Sequence, residues 1–161
     1  MQPNKIAERV RKLTALPLGH KLLGLAIGKM IPYVRTTGLE ILEMTPDVVT
    51  IRVPNRQRAR NHIGQVHAAA MILVAESATG LVVGMNASDE SLPLIKALNT
   101  QFIRRSQGAI TATARLTPEQ KSQFQLEKAT LPVAVEVRDE SGAEPIRVEA
   151  IWAWIPKKKL G

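Results

Sequence analysis

The stretch Asn61-His-Ile-Gly-Gln-Val-His67-Ala-Ala-Ala-Met-Ile-Leu-Val-Ala-Glu76-Ser-Ala-Thr-Gly80 decides how this chain folds. From Val66 to Ala75 nearly every residue is Ala, Val, Met, Ile or Leu, so the segment has no polar face. A helix that is apolar all round has to be wrapped by the rest of the protein, and Ala, Met and Leu favour helix here. Asn61 and Gly64 supply the turn ahead of it, and Gly80 is the expected stop. Glu76 then stands out as a carboxylate set into an apolar helix, where burial is costly unless it has a partner or a task.

Outward from that helix, 161 residues with 45% hydrophobic content fit a single soluble domain. The absence of cysteine excludes disulfides, thiolate chemistry and a Cys-based zinc site, and the cytoplasm is the expected compartment. A net charge of +8 points to an anionic partner: nucleic acid, an acidic membrane surface or a phosphorylated small molecule. Aromatics are only 3% of the chain, too few to interleave with the basic residues as stacking on nucleic acid requires. No Gly-x-x-x-x-Gly-Lys-Ser/Thr loop, Gly-x-Gly-x-x-Gly turn, Gly-x-Ser-x-Gly elbow or His-Glu-x-x-His helix is present. His62 and His67 lack the Cys or paired acids that would complete a metal site.

Residues 1–37 read as a helical extension, with two short helical patterns separated near Pro17 and Gly19 and basic residues from Lys5 to Lys29. Leu22 to Ile31 resembles a signal-peptide core, but Pro17, His20, Lys21 and Lys29 break the apolar run far short of a membrane span. Helices covering one edge of the domain are therefore expected in preference to a membrane-surface segment, with Gly24 and Gly28 allowing a close backbone approach. Residues 38–161 carry the rest. Leu39–Met44 and Val48–Val53 form a hairpin about Thr45-Pro46-Asp47, and the loop after Pro54 is cationic with Arg56, Arg58 and Arg60. Beyond the helix come strands over Leu94–Arg105, Ala109–Leu116, Leu131–Asp139 and Ile146–Ile155, read as a four-strand meander in which Gly108 joins the first pair. Thr117-Pro118-Glu119 starts a short helix, and Lys157 to Lys159 form a basic tail. The whole is an α+β fold, an antiparallel sheet curled around one long helix.

Within that frame, Asn61-x-x-Gly64-x-Val66-His67 followed by Ala75-Glu76-x-Ala78 resembles the Asn-x-x-Gly-x-x-His-Gly-Gly…Ala-Asp-x-Ala signature of hot-dog-fold acyl-CoA thioesterases of the PaaI-like type. Gln101 to Gly108 and Thr111 to Leu116 are similar to a strand pair of the same family. The resemblance covers roughly Gly38 to Pro156 and is nearest to the poorly characterised thioesterase-like members. Ala68 and Ala69 replace the paired glycines, narrowing the space at the helix start; Glu76 replaces the common aspartate, and Arg105 stands where the family often has proline.

The resemblance implies hydrolysis of acyl-CoA-type thioesters to acid and thiol, with the CoA thioester as substrate and no other cofactor. The Ala68 N–H would hold the developing oxyanion, Asn61 would position the thioester carbonyl or the water, and Glu76 would serve as general base or nucleophile. Gly64 and His67 would set the loop, His67 holding it by a hydrogen bond. Asn61 as a plain turn residue and Glu76 as a solvated acid near a helix end are the duller readings. The helix rise of about 1.5 Å per residue separates Ala68 from Glu76 by roughly 12 Å. A reacting carbonyl has to sit about 3 Å from its attacking group, so the acid comes from an antiparallel helix of a second chain, in a homodimer or a dimer of dimers. Arg56, Arg58 and Arg60 have the ordinary reading of a solvated loop, but they lie next to this site, and a CoA-type ligand would bring phosphates that guanidinium groups bind well. The rival reading is a non-catalytic hot-dog module that binds acyl-CoA or lipid. A hot-dog dehydratase is weaker, because its His and proline-rich surroundings are missing.

Overall fold

The computed structural model describes residues 4–157. Lys158 and Lys159 of the expected basic tail lie outside the described residues. The central helix, α4, runs from Ala68 to Asn86 and buries Met71, Val74, Ala75, Ala78, Val82 and Val83. It lies across an antiparallel sheet of β1 (Glu40–Met44), β2 (Val48–Val53), β3 (Ser91–Phe102), β4 (Ile110–Arg115), β5 (Ala129–Asp139) and β6 (Ile146–Pro156). This is the hot-dog arrangement. Period-two burial explains the fit: β2 turns Val49, Ile51 and Val53 inward, and β4 turns Ile110, Ala112 and Ala114 inward. The alanines of β4 let the helix axis come close. The β1–β2 hairpin forms as expected, closed by Thr45 N–H donating to Val48 O at 2.8 Å.

Two expectations need correction. Gly80 does not end the helix, which continues for six residues to Asn86. Gly80 is instead a packing position, because a Cβ there would lie 2.8 Å from the Trp152 ring of β6. Asn86 then closes the helix, its Nδ2 donating to Val82 O and to Pro46 O, each at 2.8 Å.

Nor is there a four-strand meander, since the sheet order is β1-β2-β4-β5-β6-β3. β3 starts at Ser91, earlier than expected, and pairs with β6 from Ser91↔Pro156 to Phe102↔Ile146, while β4 sits between β2 and β5. Alternation tells which face a side chain takes but not which strand lies alongside. Gly108 (φ +66°) bends the link between β3 and β4, but that link is fastened elsewhere. Gln107 N–H donates to Asp139 Oδ2 at 2.9 Å and Glu140 N–H donates to Gln107 O at 3.0 Å, tying it to the β5–β6 turn.

At the N-terminal end, α1 (Lys5–Thr14) and α2 (Gly19–Met30) follow the two expected patterns. A third helix, α3 (Pro32–Thr37), was not anticipated, although Pro32 at its first position and Gly38 (φ +71°) at its C-cap are its signals. Asn4 caps α1 by accepting from Ala7 N–H at 2.8 Å, and its Nδ2 donates to Gly84 O at 2.8 Å and Ala87 O at 2.6 Å. That ties the start of α1 to the end of α4. α2 packs on β1, burying Leu23 and Ile27. Between β4 and β5, Thr117 and Gln120 form a reciprocal capping box on α5 (Pro118–Ser122), the helix start its sequence announced.

Candidate active site

The approach to α4 is a closed turn. The Asn61 Oδ1 accepts from Ile63 N–H and Gln65 N–H, both at 3.1 Å, and Gly64 N–H donates to Asn61 O at 3.1 Å. Gly64 has φ +74°, a left-handed conformation that a side chain would strain. Asn61 is therefore a turn residue first. Its carbonyl oxygen is occupied by its own loop, and the Nδ2 amide, which has no hydrogen-bond partner among the described residues, is the atom left for a ligand.

This turn delivers His67 to the helix N-cap. His67 N–H donates to Ala59 O at 2.8 Å, and His67 Nδ1 accepts from Ala69 N–H at 3.0 Å. Accepting at Nδ1 puts the proton of a neutral ring on Nε2. Ala70 N–H and Met71 N–H reach His67 O at 2.9 and 3.1 Å. Of the first-turn donors that helix geometry leaves over, the Ala68 N–H has no protein partner among the described residues. A polarised carbonyl oxygen placed there would meet one free N–H at the positive end of a 19-residue helix.

Glu76 sits two turns further on and is half-buried. Burial pushes its pKa above the ordinary carboxylate value, and the Ser77 hydroxyl, donating at 3.3 Å, pulls it partly back. It forms no salt bridge among the described residues. Ala69, Ile72, Leu73, Glu76, Gly80 and Gly84 recur at three- and four-residue spacing, so they share one side of α4. Apart from Ala69, which is exposed, these positions are half-buried, unlike the sheet-facing side. Beside Glu76 the packing is tight: Thr79 Oγ1 donates to Glu76 O at 2.8 Å and accepts from Trp152 Nε1 at 2.9 Å.

Within one chain, then, Asn61, Gly64, His67 and Ala68 come together at the helix start, while Glu76 stays roughly 12 Å along the axis. Two of the clefts among the described residues, of about 480 and 580 Å³, do not touch Ala68 or Glu76.

The three loop arginines separate into different roles. Arg60 is bound to its own loop, Nε to Asn55 Oδ1 and Nη2 to Asn55 O, both at 2.9 Å. Arg56 pairs with Glu40 at 2.8 Å. Arg58 lies over Gly38, where a Cβ would fall 2.0 Å from its Nη2, and it has no acidic partner among the described residues. It lines the 480 Å³ cleft together with Lys21 and Arg35, whose walls include Leu25 and Ile41. Local spacing gave no signal for Lys21 and Arg35. The packing of α2 on β1 carries Lys21 to the loop, and α3, packed on α2 and against Gln57–Ala59, carries Arg35 there.

A family model described as a domain of unknown function, DUF4442, matches residues 19–155. It thus takes in α2 and α3 together with the sheet and α4. A comparison with curated proteins finds no match. Among solved structures, a protein of unknown function from Pseudomonas aeruginosa, called a probable thioesterase, is 25% identical; the alignment covers 88% of this chain and 97% of that one, at a TM-score of 0.74. A putative thioesterase from Shewanella oneidensis is 12% identical over 85% of this chain and 97% of its own (TM-score 0.72). A thioesterase from Haemophilus influenzae is 16% identical over 88% and 93% (TM-score 0.69). These likenesses carry the fold, that of hot-dog thioesterase-like proteins.

Proposed function

The chain belongs to the DUF4442 family, with a hot-dog thioesterase-like fold, and from that premise we propose that it hydrolyses acyl-CoA-type thioesters at a site shared by two subunits. The observation that carries this reading is Glu76: a half-buried carboxylate with no cationic partner among the described residues, on the side of α4 that the sheet leaves half-open. A second α4 laid antiparallel along that side brings its Glu76 to this chain's Ala68 N–H, and the two-fold makes the exchange reciprocal. β3 supports the same pairing, being an edge strand with Leu94 and Phe102 exposed and one row of backbone groups unpaired.

In this arrangement the thioester carbonyl oxygen takes the Ala68 N–H, and the charge that develops on attack is held at the helix N-terminus. The partner's Glu76 removes a proton from water as the water oxygen bonds to the carbonyl carbon. The C–S bond then breaks, and the thiolate takes the proton from the carboxyl group, releasing acid and thiol. Burial suits the base to this task by lifting its pKa toward the working pH. The Asn61 Nδ2 is the donor available to steer the carbonyl or the water. For the nucleotide end of the substrate, the cleft of Lys21, Arg35 and Arg58 offers guanidinium and ammonium groups for phosphates. We place the reaction in the cytoplasm, in keeping with a chain that has no cysteine.

The test is a panel of acyl-CoA thioesters with free thiol as the readout, on wild type and Glu76→Gln. Hydrolysis should fall by at least about a hundredfold in the variant. Equal rates remove Glu76 from the chemistry, and a wild type that binds CoA thioesters without turnover replaces the enzyme by a binding module.

A further inference from the structure

We infer that the outward face of α2 and its flanking turns docks on an anionic phospholipid bilayer. The helix does cover the β1 edge, through a buried stripe of Gly19, Leu23 and Ile27. That stripe occupies one side only. Leu16, Leu18, Leu22, Leu25, Met30 and Tyr33 are all exposed, with Leu18, Leu25 and Met30 at 69, 71 and 74%. Single exposed leucines are ordinary, but Leu18, Leu22 and Leu25 share one arc at three- and four-residue spacing, and Leu16, Met30 and Tyr33 add exposed apolar side chains at the two ends of the helix.

Charge selects the partner. Between Glu8 and Glu40 the chain has no acidic residue, yet it carries Arg9, Arg11, Lys12, Lys21, Lys29 and Arg35. Lys21 and Lys29 fall on the same outward arc of α2 as Leu18, Leu22 and Leu25, at three- and four-residue spacing. Leucines flanked by lysines whose stems reach up to the headgroups are the composition of a helix lying in a membrane interface, and Tyr33 adds an interfacial ring. A protein partner of acidic surface would match the lysines but leave the leucines against polar groups. Leu18 is also held at φ 61°, a left-handed conformation unusual for leucine, with its side chain turned out to solvent. The face lies at the β1 end of the sheet, opposite β3, so it stays open in a dimer joined through α4 and β3. It holds whether or not the chain turns over thioesters; Lys21 and Leu25 also line the cleft assigned above to CoA phosphates, so vesicle binding is measured with no thioester present.

The test is flotation of the full chain with vesicles of phosphatidylcholine, alone or mixed with phosphatidylglycerol. Wild type should float with the mixed vesicles, be released by salt, and stay behind with phosphatidylcholine alone. Lys21→Glu/Lys29→Glu and Leu25→Glu/Met30→Glu should each lower the bound fraction roughly tenfold or more, with melting temperature and light-scattering mass unchanged. Arg138→Glu, the same kind of charge change on exposed β5, should bind as wild type. If either glutamate pair melts early, serines at the same positions carry the same expectation. Wild type that ignores the anionic vesicles overturns the inference, as do variants that bind like wild type. So does a change of oligomeric mass in Leu25→Glu/Met30→Glu, which would show a second copy covering the patch.

Discussion

At the scale of single residues, Glu76 as the proposed base should set two pH dependences that run in opposite directions. As a base it has to be ionised, so kcat/KM should climb as pH rises through its raised pKa, and Glu76→Gln should abolish that limb along with most of the rate. Stability falls over the same range. The folded chain keeps the proton on Glu76 to a higher pH than the unfolded chain does, so the cost of ionising it grows from the unfolded pKa upward and is complete above the folded one. Glu76→Gln at neutral pH should therefore melt at an unchanged or higher temperature, and Glu76→Asp should keep more activity than Gln. His67 is a different case, a cap whose Nδ1 holds Ala69 N–H. His67→Ala should cost about 1 kcal/mol in denaturant unfolding, whereas His67→Asn, a good cap, should recover both stability and activity. Loss of activity in a stable Asn variant would make the ring a proton carrier instead. Among the arginines, Arg58→Glu should raise KM for acyl-CoA more than for a short thioester without the nucleotide. Arg60→Glu, at a side chain bound within its own loop, should not discriminate between the two.

At the scale of elements, α4 and β6 are fitted to one another at Gly80. Helix propensity by itself says that Gly80→Ala stabilises a helix interior by about 1 kcal/mol. Against that, the new methyl group would lie 2.8 Å from the Trp152 ring, which is buried and held by the Thr79 hydroxyl through its Nε1. A ring with a hydrogen bond at one edge and core on its faces cannot swing aside cheaply, and overpacking of this kind costs about 1–3 kcal/mol. Gly80→Ala should thus lower the urea midpoint, with the m-value unchanged. A stabilised variant would mean that Trp152 has room the packing does not show.

At the scale of the whole molecule, the catalytic reading stands or falls with the dimer. Light scattering should give twice the chain mass, or four times for a dimer of dimers, and a stable monomer at micromolar concentration would remove the two-chain site. In the proposed dimer, the two-fold that exchanges Ala68 with Glu76 would pass midway between them, at Ile72. Since the chain has no cysteine, Ile72→Cys introduces a single thiol, and mild oxidation should give a disulfide-linked dimer on a non-reducing gel. Cysteine at Leu25, far from that axis, should not link. Failure at Ile72 in a protein that is dimeric by scattering would move the interface off α4.

The order of residues already implies a long apolar helix wrapped by strands, because Val66 to Ala75 offers no face for water, and it implies the hairpin ahead of that helix, because Pro46 and Asp47 make a turn between two alternating runs. It also placed the candidate site at the start of α4, where Asn61, Gly64 and His67 fall at the spacing a turn and an N-cap require. Packing across the whole fold is what sets Gly80 against a tryptophan rather than at the end of the helix. It also decides that β3 joins β6 instead of β4, and that Arg58 faces the α2 cleft while Arg60 is bound to Asn55. The division has a physical cause. Periodicity and turn chemistry act between residues a few positions apart, so they can be read along the chain. Which strand lies next to which, and what fills the space above a glycine, depends on residues tens of positions away, and these meet only once the core has formed.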